Sequence, residues 1–385
     1  MKYFDKLSIK KLKGTITSPK GFKAAGISAG LKKSGKPDMT LLYSEVPATS
    51  AAVFTTNQVK AAPVIVCQQF IKKGLSQAIV VNSGNANCWT GKKGLADALI
   101  MIKETAQVLK IHPEYVLVAS TGVIGKPMPM PKIKKGIKKL AGALSKSGGN
   151  QAARSIMTTD TVLKQIAVKV GKVTIAGMAK GAGMIEPGLA TMLGFITTDA
   201  AIDKKLLQKL LKQAVSKTFN MVSVDNCMST NDAVFILANG LSGIWVSGDQ
   251  GIRDFYKGLK FVCEHLAMEI ARDGEGATKF LTVKVNGAKN DQEARVVVKA
   301  LIGSYLLKAA VYGQDKNLGR IVQAVGATKA KVNWYKFKFD WQMGKKDHVI
   351  TVDLGQGRGR GRGRGVGWGC DLTEGYVKVN ARYHT

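Results

Sequence analysis

Apolar positions recur at helical spacing in some stretches of this chain and alternate in others, and the switches between the two periods set the expected elements. Gly94 to Leu109 has helical spacing. In PKIKKGIKKL (131–140), Ile133, Ile137 and Leu140 fall at i, i+4 and i+7 with the lysines elsewhere, which predicts an amphipathic helix with a lysine face. Asp203 is placed to cap a helix whose stripe is Leu206, Leu207, Leu210, Leu211, Ala214, Val215 and Phe219. Further helices are expected from about Asp249 to Arg272, breaking at Asp273-Gly274, and from Asp291 to Ala310. Strands are expected at QAIVVN (77–82), at Tyr115 to Ala119, and in a hairpin of TVLKQIAVKV and KVTIAG joined at Gly171. DAVFILANG, TKFLTVKVNGA, HVITVDL and GYVKVN also read as strands. The opening to about Asn57 mixes short β-prone runs with turn signals such as SPKGFKAAG and SGKPD. Strands mixed with paired helices in both halves predict a layered α/β or α+β enzyme without internal repeats.

The length, 385 residues, suits two domains or one large α/β unit. Charge changes the picture more than composition does. Lys plus Arg number 58 against 26 Asp plus Glu, a formal net charge of +32, which can attract nucleic acid, anionic surfaces or acidic small molecules. The lysines are spread along the chain and fall mostly on polar helix faces, so a solvated basic surface accounts for them better than a nucleic-acid site. A tract at 355–369, GQGRGRGRGRGVGWG, resembles RNA-binding arginine-glycine segments. It is short and lies between two strand-like segments, so a flexible hairpin loop is the better reading.

Five cysteines, Cys67, Cys88, Cys227, Cys263 and Cys370, are far apart and form no CxxC pair, which points to reduced thiols in the cytoplasm and to no zinc site. The start of the chain has no apolar h-region, and no window offers 18 apolar residues without charge or repeated glycine, so no membrane span is expected. No Walker A or dinucleotide fingerprint is present.

Candidate chemistry centres on Gly177 to Ala200, GMAKGAGMIEPGLATMLGFITTDA. The four histidines, His112, His265, His348 and His384, fall in no HExxH and beside no nucleophile motif, so a histidine-based hydrolase is poorly supported. A threonine can use its own α-amine as base, since that amine's unperturbed pKa is about 7.7 to 8. This requires scission of the Ala190-Thr191 bond, and the surrounding glycines permit the bend that self-cleavage needs. On residue chemistry alone, packing in a buried glycine-rich strand explains the same Ala-Thr pair.

KGAGMIEPGLATMLGFITTDA is similar to the cleavage and nucleophile motif of the ArgJ family, the ornithine acetyltransferases of arginine biosynthesis. SPKGFKAAG, AAVFTTN, AAPV, VNSGNANCWTG, STGVIGKPMPM, IMTTDT, SVDNCMSTND, DGEGATK, GRIVQAVG and WGCDLTEGYVKVNARYHT follow the same family in order. The resemblance implies the self-cleaving N-terminal-threonine nucleophile fold of the ornithine acetyltransferase (DmpA/ArgJ-like) type. It implies an α chain, 1–190, carrying the oxyanion hole and a Lys180 loop, and a β chain, 191–385, the two assembling as an α2β2 heterotetramer. Thr191 would take acetyl from N2-acetylornithine and pass it to glutamate by a ping-pong route. Thr121 and Gly122 match the oxyanion hole, and Thr158 or Thr159, Lys180, Thr191, Glu275, Asn380 and Thr385 match substrate contacts. Lys180 suits an amino-acid carboxylate and Glu275 an ornithine ammonium. No metal or organic cofactor is implied; acetyl-CoA, a donor for some members, stays open.

The chain departs from the family at Asn226-Cys227-Met228, at Leu318 and in the Arg-Gly tract. Two rivals remain: a self-processing threonine-nucleophile amidohydrolase or aminopeptidase, and an RNA-binding protein using the Arg-Gly tract.

Overall fold

A computed structural model describes residues 9–186, 192–356 and 363–382. The first half supplies β1 (Ile9–Leu12), β2 (Phe22–Ile27), β3 (Met39–Phe54), β4 (Leu75–Asn85), β5 (Val116–Val123), β6 (Lys164–Val170) and β7 (Val173–Lys180). Its helices are α1 (Ala62–Phe70), α2 (Gly91–Leu109), α3 (Met130–Gly142) and α4 (Gly149–Ile156). The second half adds β8 (Leu193–Thr198), β9 (Val222–Ser223), β10 (Ala233–Ala238), β11 (Phe280–Ala288), β12 (Lys338–Met343), β13 (Asp347–Asp353) and β14 (Gly363–Cys370). With them come α5 (Lys204–Ser216), α6 (Gly248–Arg272), α7 (Asp291–Gly303), α8 (Tyr305–Gly313), α9 (Leu318–Gly326) and α10 (Glu374–Ala381).

Among the described residues the strands form two sheets. The larger runs β1-β6-β7-β8-β10-β3-β4-β5 with β2 paired to β3, and the smaller runs β12-β13-β11-β14-β9. The larger sheet is mixed: β8 lies parallel to β10 and β4 to β5, while β7 and β8 are antiparallel. Its central strands are apolar on both faces because each face covers a core. In β10, Ala233, Phe235 and Leu237 enter the core built with α1 to α4, and Val234, Ile236 and Ala238 enter the one built with α5 to α9 and the second sheet. That alternation is the period of two of a strand. No single helix among the described residues is long and apolar enough to cross a membrane.

Most predicted elements are present. The β6–β7 hairpin turns at Gly171, whose φ of 58° suits glycine. Asp203 caps α5, its carboxylate accepting the Leu206 N–H at 3.0 Å.

Three elements differ. The expected 291–310 helix is broken at Ser304, which ends α7 and caps α8 by accepting the Leu307 N–H at 3.2 Å. GYVKVN, read as a strand, lies in α10, which starts from Thr373 as its N-cap. Residues 363–369 of the Arg-Gly tract form β14 rather than a loop; residues 357–362 lie outside the described residues. Alternate glycines let β14 lie against its neighbours: a Cβ at Gly363 would meet the Asn290 backbone at 2.2 Å, and one at Gly367 the Val298 side chain at 2.5 Å.

Candidate active site

The end of β5 is shaped by a register shift against β4, where Asn85 faces both Thr121 and Val123. Gly122 has a φ of 133°, and a Cβ there would lie 2.3 Å from the Gly84 carbonyl carbon, so the position admits glycine alone. Opposite, the polar run Ser229-Thr230-Asn231-Asp232 precedes the apolar β10. Asn231 ties this run to β5 and to the residue just after β4, its Nδ2 donating to the Ser120 carbonyl at 2.8 Å and the Ala86 carbonyl at 2.6 Å.

Lys180 ends β7, paired with Leu193 of β8, so it is a strand residue rather than part of a loop. Its side chain is buried, and its ammonium has no hydrogen bond or ion pair among the described residues. Burial pushes its pKa below the ordinary lysine value, with the Asp160 carboxylate the largest opposing influence. Asp160 accepts the Gly181 N–H at 2.7 Å, the Thr158 N–H at 2.9 Å and the Lys164 ammonium at 2.7 Å. Burial disfavours its ionisation, but the charges of Lys180 and Lys164 and the Gly181 amide outweigh that and hold its carboxyl below the usual range.

After Lys180 the chain is pinned by Asp225, whose carboxylate accepts the N–H groups of Met184 at 2.6 Å and Ile185 at 2.7 Å. Beyond residues 187–191, the Met192 N–H donates to Asp232 Oδ1 at 3.0 Å. Asp232 is fully buried, and its Oδ2 has no hydrogen-bond partner among the described residues. Burial pushes this carboxyl well above its ordinary value, against the opposing Ser229 hydroxyl and Met192 amide.

Thr121, Gly122, Thr158, Thr159, Lys180, Glu275 and Asn380 all line one cleft of about 120 Å³. Asn380 reaches it from α10 and donates to Glu275 Oε2 at 2.8 Å. Ala190, Thr191 and Thr385 lie outside the described residues. None of the described histidines lines the cleft. Ile124, Gly183, Met184, Ser229, Thr230 and Asn231 also line it; they fall within the family-like motifs STGVIGKPMPM, KGAGMIEPGLATMLGFITTDA and SVDNCMSTND, where no role was given to them individually. The usable signal for the last three was a polar run immediately before an all-apolar strand, a place where chemistry is often mounted. Asn226, one of the family departures, has a φ of 57°, a conformation that asparagine tolerates, and its Nδ2 donates to the Gly303 carbonyl at 2.7 Å.

A buried cation, an acidic group and a glycine-bearing strand end face one small cleft, an arrangement suited to an enzyme acting on small charged molecules. The chain belongs to the ArgJ family, whose sequence pattern matches residues 23–385. The arginine biosynthesis bifunctional protein ArgJ of Caldanaerobacter subterraneus subsp. tengcongensis is 48% identical over 405 residues, covering 97% of this chain and 99% of that protein. Its namesake from Symbiobacterium thermophilum is 46% identical over 403 residues, covering 97% of this chain and 99% of that protein. Among solved structures, the ornithine acetyltransferase of Mycobacterium tuberculosis in complex with ornithine is 39% identical, covering 48% of this chain and 100% of that chain, with a TM-score of 0.45.

Proposed function

We propose that this chain transfers the acetyl group of N2-acetyl-L-ornithine to L-glutamate, in arginine biosynthesis, after cutting itself between Ala190 and Thr191. The supporting observation is that Thr121, Gly122, Lys180, Glu275 and Asn380, far apart in sequence, face one cleft in a chain that follows the ArgJ family nearly end to end. Cleavage gives an α chain, 1–190, and a β chain, 191–385, which stay together as an α2β2 assembly.

The Thr191 hydroxyl attacks the acetyl carbonyl while its α-amine takes the proton. Thr121 and Gly122 donate to the oxyanion, an interaction worth about 3 to 4 kcal/mol of barrier for each donor. Ornithine leaves with its amine reprotonated, and the glutamate amine then attacks the acetyl ester and restores Thr191. Lys180 holds the amino-acid carboxylate and Glu275 the ornithine ammonium. The acetyl unit rides on threonine, so the cycle requires no metal or organic cofactor.

Intact mass of the purified protein tests the first step: two chains divided between Ala190 and Thr191 are expected, and Thr191→Ala should give an uncut, inactive chain. An uncut wild-type chain that still transfers acetyl would overturn the mechanism. Acetylornithine hydrolysis exceeding transfer to glutamate would favour an amidohydrolase. Acetyl-CoA as a second donor is read in the same assay, as acetylglutamate formed with no acetylornithine present.

A further inference from the structure

Beneath the cleft lies a buried group of four charges: Lys180, Lys164, Asp160 and Asp273. Lys164 takes both carboxylates, pairing with Asp160 at 2.7 Å and with Asp273, which also accepts the Thr161 hydroxyl. Lys180 is left facing the cleft with no hydrogen bond or ion pair among the described residues. A buried ammonium without a partner is costly and tends to lose its proton unless a nearby carboxylate compensates. Asp160 also binds the amides of Thr158 and Gly181, so one carboxylate spans the two segments that carry Thr158, Thr159 and Lys180 to the cleft. Lys32 braces the same loop, donating to the Met157 carbonyl at 2.7 Å.

We propose that Asp160 is the positioning residue for the substrate carboxylate: by accepting the amides of Thr158 and of Gly181, the residue after Lys180, it fixes the two segments between which that carboxylate docks and holds a negative charge beside the Lys180 strand end. The inference rests on the acetyl-transfer reading and deepens it. The other titratable groups acting on Lys180 are Asp232, Glu275, Lys164 and Lys32, and of the acidic ones Asp160 bonds the amide that directly follows Lys180. Only the ammonium form of Lys180 attracts a carboxylate. Binding is therefore lost as pH rises through the Lys180 pKa, and without Asp160 that loss comes at lower pH.

The test compares N2-acetylornithine with its carboxamide as acetyl donors for the wild type and for Asp160→Asn, across pH 6 to 9. The wild type should prefer the acid. Asp160→Asn should lose about tenfold or more of that preference at pH 8, mainly through KM, with the alkaline limb of kcat/KM moved to lower pH. Equal losses on both donors with an unmoved alkaline limb would show a purely structural role and overturn the proposal. Should Asp160→Asn not fold, Asp160→Glu carries the test: it keeps the charge and should keep the acid preference, and losing that preference would overturn the proposal. A wild type that transfers from neither donor sinks the acetyl-transfer reading, whereas a wild type that transfers from both alike sinks this inference alone.

Discussion

At the scale of single residues, the cleft and the residues directly behind it include groups that a stability-driven sequence would not choose. Asp232 is buried with one oxygen lacking a partner among the described residues, and its carboxyl is pushed well above its ordinary value. Such a group binds its proton more tightly in the folded chain than in the unfolded one. Its stabilising effect is full below the unfolded value of about 3.9 and is lost as pH rises toward the folded value. Asp232→Asn should therefore melt close to the wild type near pH 3.5 and increasingly above it toward pH 8; a melting difference independent of pH would refute this. Gly122 is constrained in the opposite way, by space. Gly122→Ala places a methyl 2.3 Å from the Gly84 backbone at a φ of 133°, where neither strand can yield cheaply. A loss of about 1 to 3 kcal/mol is expected in denaturant titration, together with loss of acetyl transfer.

At the scale of elements, the Arg-Gly tract shows what repetitive composition hides. In β14 the glycines at 363, 365, 367 and 369 meet neighbouring chain closely, while Arg364 and Val366 are exposed. Gly367→Ala, pushing against Val298, should cost about 1 to 3 kcal/mol by thermal or denaturant unfolding. Arg364→Ala should change stability by no more than about 0.5 kcal/mol; equal effects from the two would contradict this packing. The β6–β7 hairpin and the Asp203 cap were legible because each is specified by residues close in sequence. GYVKVN was not, since six residues fit either period and the Thr373 cap outweighs the alternation. The break at Ser304 was hidden because apolar spacing continues through it, and only the side-chain bond to Leu307 marks the new start. The cleft itself was legible through family resemblance rather than periodicity. Asn231 reaches Ser120 and Ala86 across 111 and 145 positions, a pairing no local pattern encodes.

At the scale of the whole molecule, two cores share one large sheet, and the chain's last helix contributes to neither of them. No residue of α10 is buried. It is held by polar links: Thr373 Oγ1 to the Gly276 carbonyl at 2.6 Å, Tyr376 Oη to Asp225 at 3.3 Å, and Asn380 to Glu275 at 2.8 Å. Two of these links run to groups that also order the cleft, since Asp225 holds Met184 and Ile185 while Glu275 lines it. The helix thus contributes little apolar burial but brings Asn380 to the cleft, so its loss should separate stability from activity. Deleting residues 374–385 should leave the main melting transition nearly in place, because none of the described residues it removes is fully buried. The same deletion should lower kcat/KM for acetyl transfer by about a hundredfold or more, the scale of a misplaced binding group. Asn380→Ala, which removes the link to Glu275 and a bond to the Tyr376 carbonyl within the same helix, should produce a smaller part of that loss at nearly unchanged stability. A truncated protein with full activity would show that Asn380 and the residues after it take no part in binding.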